Sequence, residues 1–200
     1  MKSMISFYPQ NNYDNSMRKL IIITGDLAAG KSTLASSLSE QLQMPFLTKD
    51  ALKEIVCDII GYQNREENRL LSKTATRDMV YFFKQCALVG ADLILEANFR
   101  SEELREIKEL VDEYEYRVAL IILTGDIPLL YQRFLDRLPT RHIAHRSLNL
   151  DYSLERFTDY INEIRNEDLV FLPHYLDMSD LDEDEVTEKA LDLIYDEFGE

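Results

Sequence analysis

Eight residues near the start of the chain have the spacing of a phosphate-binding loop. The segment Gly25-Asp26-Leu27-Ala28-Ala29-Gly30-Lys31-Ser32 fits the pattern G-x-x-x-x-G-K-[ST] at every fixed position. In this pattern the glycines let successive backbone N–H groups turn inward and surround phosphate oxygens at the start of a helix. Lys31 would reach the β- and γ-phosphates, and the Ser32 hydroxyl would bind Mg²⁺. The predicted nucleotide-binding residues are Gly25, Asp26, Leu27, Ala28, Ala29, Gly30, Lys31, Ser32 and Thr33.

The segments on either side of this loop have the character that a phosphate-binding loop requires. Before it, Leu20-Ile21-Ile22-Ile23-Thr24 is a short β-branched run that is typical of a buried strand. After it, Leu34, Leu38 and Leu42 recur every four residues, as on one face of a helix. The sequence therefore predicts a strand, a glycine loop and a helix in the required order.

Strand and helix patterns alternate along the rest of the chain. The predicted strands are 20–24, 44–48, 91–96, 117–123 and 172–178, and the main helices after the first are 51–60, 69–89, 153–167 and 182–198, with others that begin at 101 and 127. This alternation favours an α/β fold with a parallel sheet covered by helices on both faces. Ligands of such sheets bind at the carboxyl ends of the strands, so polar residues that follow each strand are candidates for the site.

Asp50 follows the second predicted strand and is the candidate for activating an acceptor hydroxyl. Phosphoryl transfer requires an acceptor oxygen held in line and a group that receives its proton, and a carboxylate can do both. The alternative is that Asp50 only caps the helix that begins at Ala51, as aspartate does well. Both roles are compatible with one position.

Three polar residues follow the third predicted strand. Glu96 ends the segment Leu93-Ile94-Leu95-Glu96, which is similar to a Walker B segment, and its carboxylate could hold Mg²⁺ directly or through water. The alternative for Glu96 is a structural hydrogen bond at a strand end. Asn98 and Arg100 are candidates for binding the acceptor, although Arg100 could equally be a solvated residue before a helix.

Basic residues are concentrated between positions 133 and 146. Arg133, Arg137, Arg141 and His145 are spaced by four, and Pro139 prevents them from sharing one regular helix face. Arginines on a mobile segment would close over the transferring phosphate and neutralise its charge. We predict Arg133 and Arg137 as the catalytic pair; the alternative is ordinary surface pairing. His142 and His145 do not favour zinc, because no further zinc-ligand pattern is nearby.

Charge and composition limit the classes of function. The chain carries 22 Lys and Arg against 37 Asp and Glu, a net charge of −15, and this disfavours binding to nucleic acids or anionic membranes. No run of about 18 apolar residues is present, and the two cysteines lie in apolar helical patterns, so we expect a cytoplasmic protein. We expect an irregular extension over 1–17, one domain over 18–200, and a lid at about 133–152.

The phosphate-binding loop, Asp50, Leu93–Asn98 and the arginine segment resemble the zeta-toxin and chloramphenicol-phosphotransferase-like P-loop kinases, within the shikimate- and nucleotide-kinase-like group. The resemblance extends from Leu20 onward. It implies a three-layer P-loop NTPase fold with a five-stranded parallel sheet in the order 2-3-1-4-5 and a lid. It also implies ATP and Mg²⁺ as cofactors, Lys31 as phosphate clamp, Asp50 as acceptor base, and Arg133 and Arg137 as lid arginines. Two departures from the family pattern are Ala29, where many relatives have a smaller or polar residue, and Glu96, where aspartate is usual.

We therefore expect an ATP-dependent phosphotransferase that moves the γ-phosphate to a hydroxyl of a small molecule. One alternative is an ATP- or ADP-binding regulatory switch, or a slow ATPase, that has no small-molecule acceptor. A polynucleotide kinase is a further alternative, but it needs a basic groove that follows the nucleic acid backbone, and the overall charge argues against it.

Overall fold

The computed structural model of the protein describes residues 18–146 and 153–199. The predicted extension at 1–17 and residues 147–152 of the predicted lid lie outside the described residues. Within the described residues, the strands are β1 (Lys19–Gly25), β2 (Phe46–Thr48), β3 (Leu93–Glu96), β4 (Arg117–Thr124) and β5 (Pro173–Asp177). The helices are α1 (Lys31–Leu42), α2 (Lys49–Ile60), α3 (Arg65–Val89), α4 (Ser101–Tyr114), α5 (Ile127–Arg137), α6 (Leu154–Arg165) and α7 (Glu183–Phe198), with a 3-10 turn at Ile143–His145.

The five strands form one parallel sheet in the order β2-β3-β1-β4-β5. This confirms the predicted fold and strand order. In the register of the sheet, Glu96 of β3 is level with Ile23 of β1 and with Thr48 of β2. The phosphate-binding loop, the start of α2 and the residues after β3 therefore leave the sheet at the same edge.

Alternate residues of the central strand supply two separate hydrophobic cores. Ile21 and Ile23 of β1 pack in a core with residues of α1, α5, α6 and α7, whereas Leu20 and Ile22 pack in a core with residues of α3 and α4. All four side chains are fully buried. The sheet is thus covered by helices on both faces, as expected for strands that are apolar along their whole length.

Most helix ends agree with the predicted ones, but α3 begins earlier than expected. Gly90 ends α3 in the left-handed conformation, as predicted. The helix starts at Arg65 rather than near 69, because the Asn64 side chain caps it by accepting a hydrogen bond from the Glu67 N–H at 3.0 Å. The polar stretch before position 69 is therefore a solvated first turn. Both cysteines are buried free thiols, and none of the described helices is long and apolar enough to cross a membrane.

Candidate functional site

The first glycine of the loop is required by packing within the sheet. Gly25 has φ +119°, and a Cβ built on it would lie 2.1 Å from the Leu123 carbonyl oxygen of β4. Gly30 has φ +85° and is the cap residue at the start of α1. Both values lie where L side chains are strained, so the two glycines define the path of the loop between β1 and α1. Ala29, one of the departures from the family pattern, is fully buried in the core.

Lys31 is buried against the loop that precedes it. Its Nζ donates hydrogen bonds to the carbonyl oxygens of Asp26 at 2.6 Å and of Gly25 at 3.2 Å. Burial lowers the pKa of the Lys31 ammonium, while the nearby carboxylates of Glu96, Asp50 and Asp26 act in the opposite direction. A compact positive charge is thus held at the start of α1.

The Asp26 side chain stabilises the loop through hydrogen bonds to residues outside it. Its fully buried carboxylate accepts hydrogen bonds from Arg165 Nε at 3.1 Å, from Arg165 Nη2 at 2.5 Å, and from the Gly125 N–H at 3.1 Å. Arg165 also donates to the Gly125 carbonyl oxygen at 2.8 Å. This network connects the loop to the end of α6 and to the loop after β4. Sequence reasoning missed Arg165, because a single arginine at a helix end carries no signal of its partner.

Ser32 and Glu96 form a pair of oxygen atoms beside Lys31. The Ser32 hydroxyl donates to Glu96 Oε2 at 3.0 Å, and Glu96 is 4% exposed at the end of β3. Burial raises the pKa of Glu96, and this rise is opposed by Lys31 and by the hydrogen bond from Ser32. A hydroxyl and a buried carboxylate fit the preference of Mg²⁺ for oxygen ligands. The described residues contain no group of three or more His, Cys, Asp or Glu side chains that could hold a metal ion, so a magnesium ion here would need phosphate and water ligands as well.

Asp50 lies in the first turn of α2 and does not cap it. The cap is Thr48, whose side-chain oxygen accepts a hydrogen bond from the Ala51 N–H at 3.2 Å. The capping alternative for Asp50 is therefore wrong. The Asp50 carboxylate is 58% exposed and lies 3.8 Å from Arg141 Nη2 and 3.8 Å from His145 Nδ1. It is thus an accessible carboxylate with cationic and imidazole neighbours.

The two candidate residues after β3 differ in their contacts: both line the cavity, but one of them also pairs with other residues of the protein. Asn98 lines the cavity described below. Arg100 also lines it, but its guanidinium pairs with Glu167 at 2.8 Å, lies 3.9 Å from Glu163, and faces the Tyr160 ring at 5.6 Å. Arg100 is therefore not simply a solvated residue. Its contacts with Glu163 and Tyr160 connect the start of α4 to α6.

Of the two predicted lid arginines, only one lines the cavity. Arg137 lines the cavity and Arg133 does not; Arg141 lies on the cavity wall instead, near Asp50. The helix α5 ends at Arg137, and the turn that follows brings Arg141 back toward α2. Arg133 and Arg137 lie one turn apart on α5, but of the two only Arg137 lines the cavity, together with Arg141 from the turn that follows. The catalytic roles of Arg133 and Arg137 stay predictions.

Residues 141–146, called the lid segment below, are attached to α2 and α3 by polar contacts. His142 Nε2 lies 3.0 Å from Asp58 Oδ1, and His145 Nε2 lies 2.9 Å from Glu54 Oε1. The Asn68 side-chain amide donates to the Ala144 carbonyl oxygen at 3.0 Å. Each histidine thus has its own carboxylate partner, and the segment is docked along the acidic side of α2.

One cavity of about 1360 Å³ is lined by Lys31, Ser32, Asp50 and Glu96. Its described lining contains eight Lys and Arg side chains and five Asp and Glu side chains, the reverse of the charge balance of the whole chain. Its lining includes the loop residues 27–32, Glu96, and residues of α2, α3, α6 and the lid segment. Thr33, which was predicted to bind nucleotide, does not line the cavity, and Gly25 and Asp26 border a second cavity of about 520 Å³ behind the loop.

Comparisons with known proteins agree with this geometry. Residues 20–158, more than half of the chain, match the AAA domain family (AAA_33). No curated protein sequence matches the chain. Among solved structures, a presumed kinase from Chloroflexus aurantiacus J-10-fl is 25% identical with a TM-score of 0.72, over 88% of this chain and 98% of that chain.

Two structures of named kinases share the fold at lower identity. A gluconokinase from Sinorhizobium meliloti 1021 is 15% identical with a TM-score of 0.57, over 90% of this chain and 93% of that chain. The APS kinase of Mycobacterium tuberculosis, solved in complex with AMPPNP and APS, is 15% identical with a TM-score of 0.55, over 88% of this chain and 97% of that chain. The family match and the kinase-like fold together support a nucleotide-dependent phosphotransferase. The chain belongs to the AAA domain family, and its fold is that of the P-loop kinases.

Proposed function

We propose that the protein transfers the γ-phosphate of ATP, bound with Mg²⁺, to a hydroxyl group of a small molecule. The observation that supports this most strongly is that the phosphate-binding loop and the accessible Asp50 carboxylate open on the same cavity. Its volume of about 1360 Å³ exceeds the roughly 300–1,000 Å³ of sites that hold a single small ligand. A cavity of this size has room for a nucleotide and a second substrate.

In this proposal each end of the cavity has a separate task. The loop N–H groups and Lys31 hold the nucleotide phosphates, while Ser32 and Glu96 hold the magnesium ion, which would neutralise the charge of the transferring phosphate. Asp50 orients the acceptor hydroxyl and receives its proton. Arg137 and Arg141 add positive charge to the cavity lining, where their guanidinium groups can bind phosphate oxygens.

The proposal is tested by following the label of γ-labelled ATP. The protein is incubated with Mg²⁺, the labelled nucleotide and a pool of cytoplasmic small molecules, and the products are separated. We expect the label to appear on a new compound, because a hydroxyl positioned beside the γ-phosphate reacts faster than water that is not positioned. Label that appears only as free phosphate, at the same rate with and without the pool, would contradict transfer to an acceptor.

A further inference from the structure

The acceptor end of the cavity contains a buried lysine that the proposed transfer reaction does not use. Lys53 of α2 is 8% exposed and lines the cavity. Its Nζ donates a hydrogen bond to the neutral side-chain oxygen of Asn68 at 2.8 Å. Among the described residues, no carboxylate lies within ion-pair distance of this ammonium group.

A buried ammonium group without a carboxylate partner is costly in water-poor surroundings. Such groups are normally paired, because the charge loses hydration on burial. Here burial lowers the pKa of Lys53, and the neighbouring charges of Lys49 and Arg141 act in the same direction, while Asp50 and the Cys57 side chain oppose them. Lys49 has its own partner, Glu103, at 2.7 Å. Arg141 in turn lies 3.8 Å from Asp50, so of these three cations only Lys53 has no carboxylate within ion-pair distance among the described residues.

The surroundings of Lys53 have the donors that an anionic ligand needs. Arg65, Asn68 and Ser72 are spaced by three and four residues on α3, so they share one face, and all three line the cavity. Arg65 is exposed there, at the first turn of the helix. Ammonium and guanidinium groups that converge on a polar cavity are the usual means of binding carboxylate, phosphate or sulfate.

We propose that Lys53, with Arg65 and Arg141, binds an oxyanion group of the acceptor, so that the substrate is an anionic hydroxy compound rather than a neutral one. This inference rests on the proposed function for the identity of the ligand as an acceptor. The oxyanion supplies the missing partner of the buried ammonium, and its binding holds the neighbouring hydroxyl near Asp50. Carboxylate, phosphate and sulfate groups share the required chemistry.

The same lysine connects the acceptor end to the lid segment. Asn68 accepts from Lys53 through its side-chain oxygen and donates through its amide nitrogen to the Ala144 carbonyl oxygen at 3.0 Å. The amide thus has one hydrogen bond to the anion subsite and one to the lid segment. An oxyanion bound at Lys53 is therefore next to the contact that docks residues 141–146 on α3.

The first test uses inorganic sulfate and acetate as probes. The protein is saturated with Mg²⁺ and a non-hydrolysable ATP analogue, so that the phosphate-binding loop is filled, and each anion is titrated at constant ionic strength by calorimetry. We expect saturable binding of at least one probe. Lys53→Met should weaken it about ten-fold or more, because a charge-assisted hydrogen bond is lost, and Lys53→Arg should weaken it less.

The matched control is Lys73→Met, which removes an exposed lysine of α3 that does not line the cavity. It should leave anion binding within about two-fold of the wild type. Equal binding by the wild type and Lys53→Met, or no saturable binding of either anion, would overturn the anion subsite and leave the proposed kinase function intact. If the ATP analogue itself does not bind, both proposals fail.

The second test compares acceptors in pairs that differ in one charged group. Gluconate is compared with sorbitol, and glycerol 3-phosphate with glycerol, in the γ-label transfer assay. We expect the anionic member to be phosphorylated more efficiently, with a lower KM in the wild type, and this preference to be lost in Lys53→Met. A preference for the neutral members, or a preference that survives in Lys53→Met, would contradict the inference.

Discussion

The two ends of the cavity are built in different ways. The proposed nucleotide end consists of backbone groups and adjacent side chains from residues 27–32, with Glu96 added from β3. The acceptor end consists of side chains from α2, α3 and the lid segment, which are separated by up to about ninety residues in the chain and joined by contacts such as His145 with Glu54. A compact motif specifies the first end, whereas tertiary packing specifies the second.

This difference has a functional consequence. Phosphate binding through backbone N–H groups depends on the loop conformation and tolerates changes of side chain elsewhere. Where side chains from several segments bind the acceptor, one of these side chains can be substituted without disturbing the loop. We therefore expect substitutions at the two ends to have separable effects, and the following predictions test that separation from the largest expected effect to the smallest.

The largest effect is expected for Gly25→Ala, which acts on the nucleotide end. The added Cβ would meet the Leu123 carbonyl oxygen at 2.1 Å, and φ +119° is strained for alanine. We expect the free energy of unfolding to fall by about 4 kcal/mol or more, with loss of nucleotide binding, as measured by urea denaturation and calorimetry. The control is Gly199→Ala at φ +71°, where no described atom lies within 4 Å of the Cβ and the cost should be about 1 kcal/mol. Equal unfolding midpoints for the two variants would contradict the steric argument.

The next effect is expected for Arg165→Met, which removes the support behind the loop. Asp26 would keep its hydrogen bond from Gly125 but would lose its cationic partner in a fully buried position. We expect the free energy of unfolding to fall by about 3 kcal/mol, because a buried carboxylate is left without its counter-charge. Adding Asp26→Asn to Arg165→Met should restore part of the loss. No recovery in the double variant would show that the buried charge is not the cause.

Glu96→Gln should change stability and metal binding in opposite directions: the melting temperature should rise and magnesium-dependent nucleotide binding should weaken. Burial raises the pKa of Glu96 in the folded protein, so the wild type loses stability as the pH rises from the ordinary value of 4.5 through the raised one. Glutamine does not titrate, and we expect the variant to melt at a higher temperature than the wild type at pH 8, with a smaller difference at pH 5. Its Mg²⁺-dependent affinity for nucleotide should fall by roughly ten-fold to a hundred-fold. Unchanged magnesium dependence would remove Glu96 from the metal site.

The smallest effect is expected for His145→Gln, which acts on the acceptor end alone. At pH 8 the loss of the hydrogen bond with Glu54 should cost about 1 kcal/mol of unfolding free energy. Burial lowers the pKa of His145 below its ordinary 6.5, although Asp50 and Glu54 oppose this, so the folded state favours the neutral ring. The wild type should therefore lose stability relative to the variant as the pH falls from 6.5, while nucleotide affinity stays the same in both.

The matched control for this pH series is His174→Gln, which removes a histidine of β5 that pairs with Glu197 and does not line the cavity. It should leave nucleotide affinity within about two-fold of the wild type. A change of nucleotide affinity in His145→Gln would contradict the separation of the two ends.

The sequence predicts the sheet, the loop and its helix because these depend on local patterns. Apolar runs such as Leu20–Thr24 and Arg117–Leu123 fix the buried strands, and the glycine pattern fixes the turn between β1 and α1. The strand order follows from the family resemblance and not from the patterns themselves.

The rest of the site depends on contacts between distant segments, which periodicity does not reveal. Asp26 and Arg165 are 139 residues apart, and Asn68 and Ala144 are 76 residues apart. Lys53 has no motif of its own, so only its burial identifies it. Arg141 comes close to Asp50 because the chain changes direction where α5 ends, which spacing along the sequence does not show. The catalytic roles of Arg133 and Arg137 stay predictions. The roles of Lys31, Asp50, Asn98 and Arg100 stay predictions.

The most direct test of the central claim is the rate of label transfer by Asp50→Asn at saturating Mg²⁺ and γ-labelled ATP. The substitution removes an exposed carboxylate at the acceptor end, so nucleotide affinity should stay within about two-fold of the wild type. Transfer to the acceptor should fall by roughly 10²- to 10⁴-fold, the usual contribution of a general base. Transfer at the wild-type rate, or loss of nucleotide binding together with transfer, would contradict a cavity whose two ends perform separate tasks.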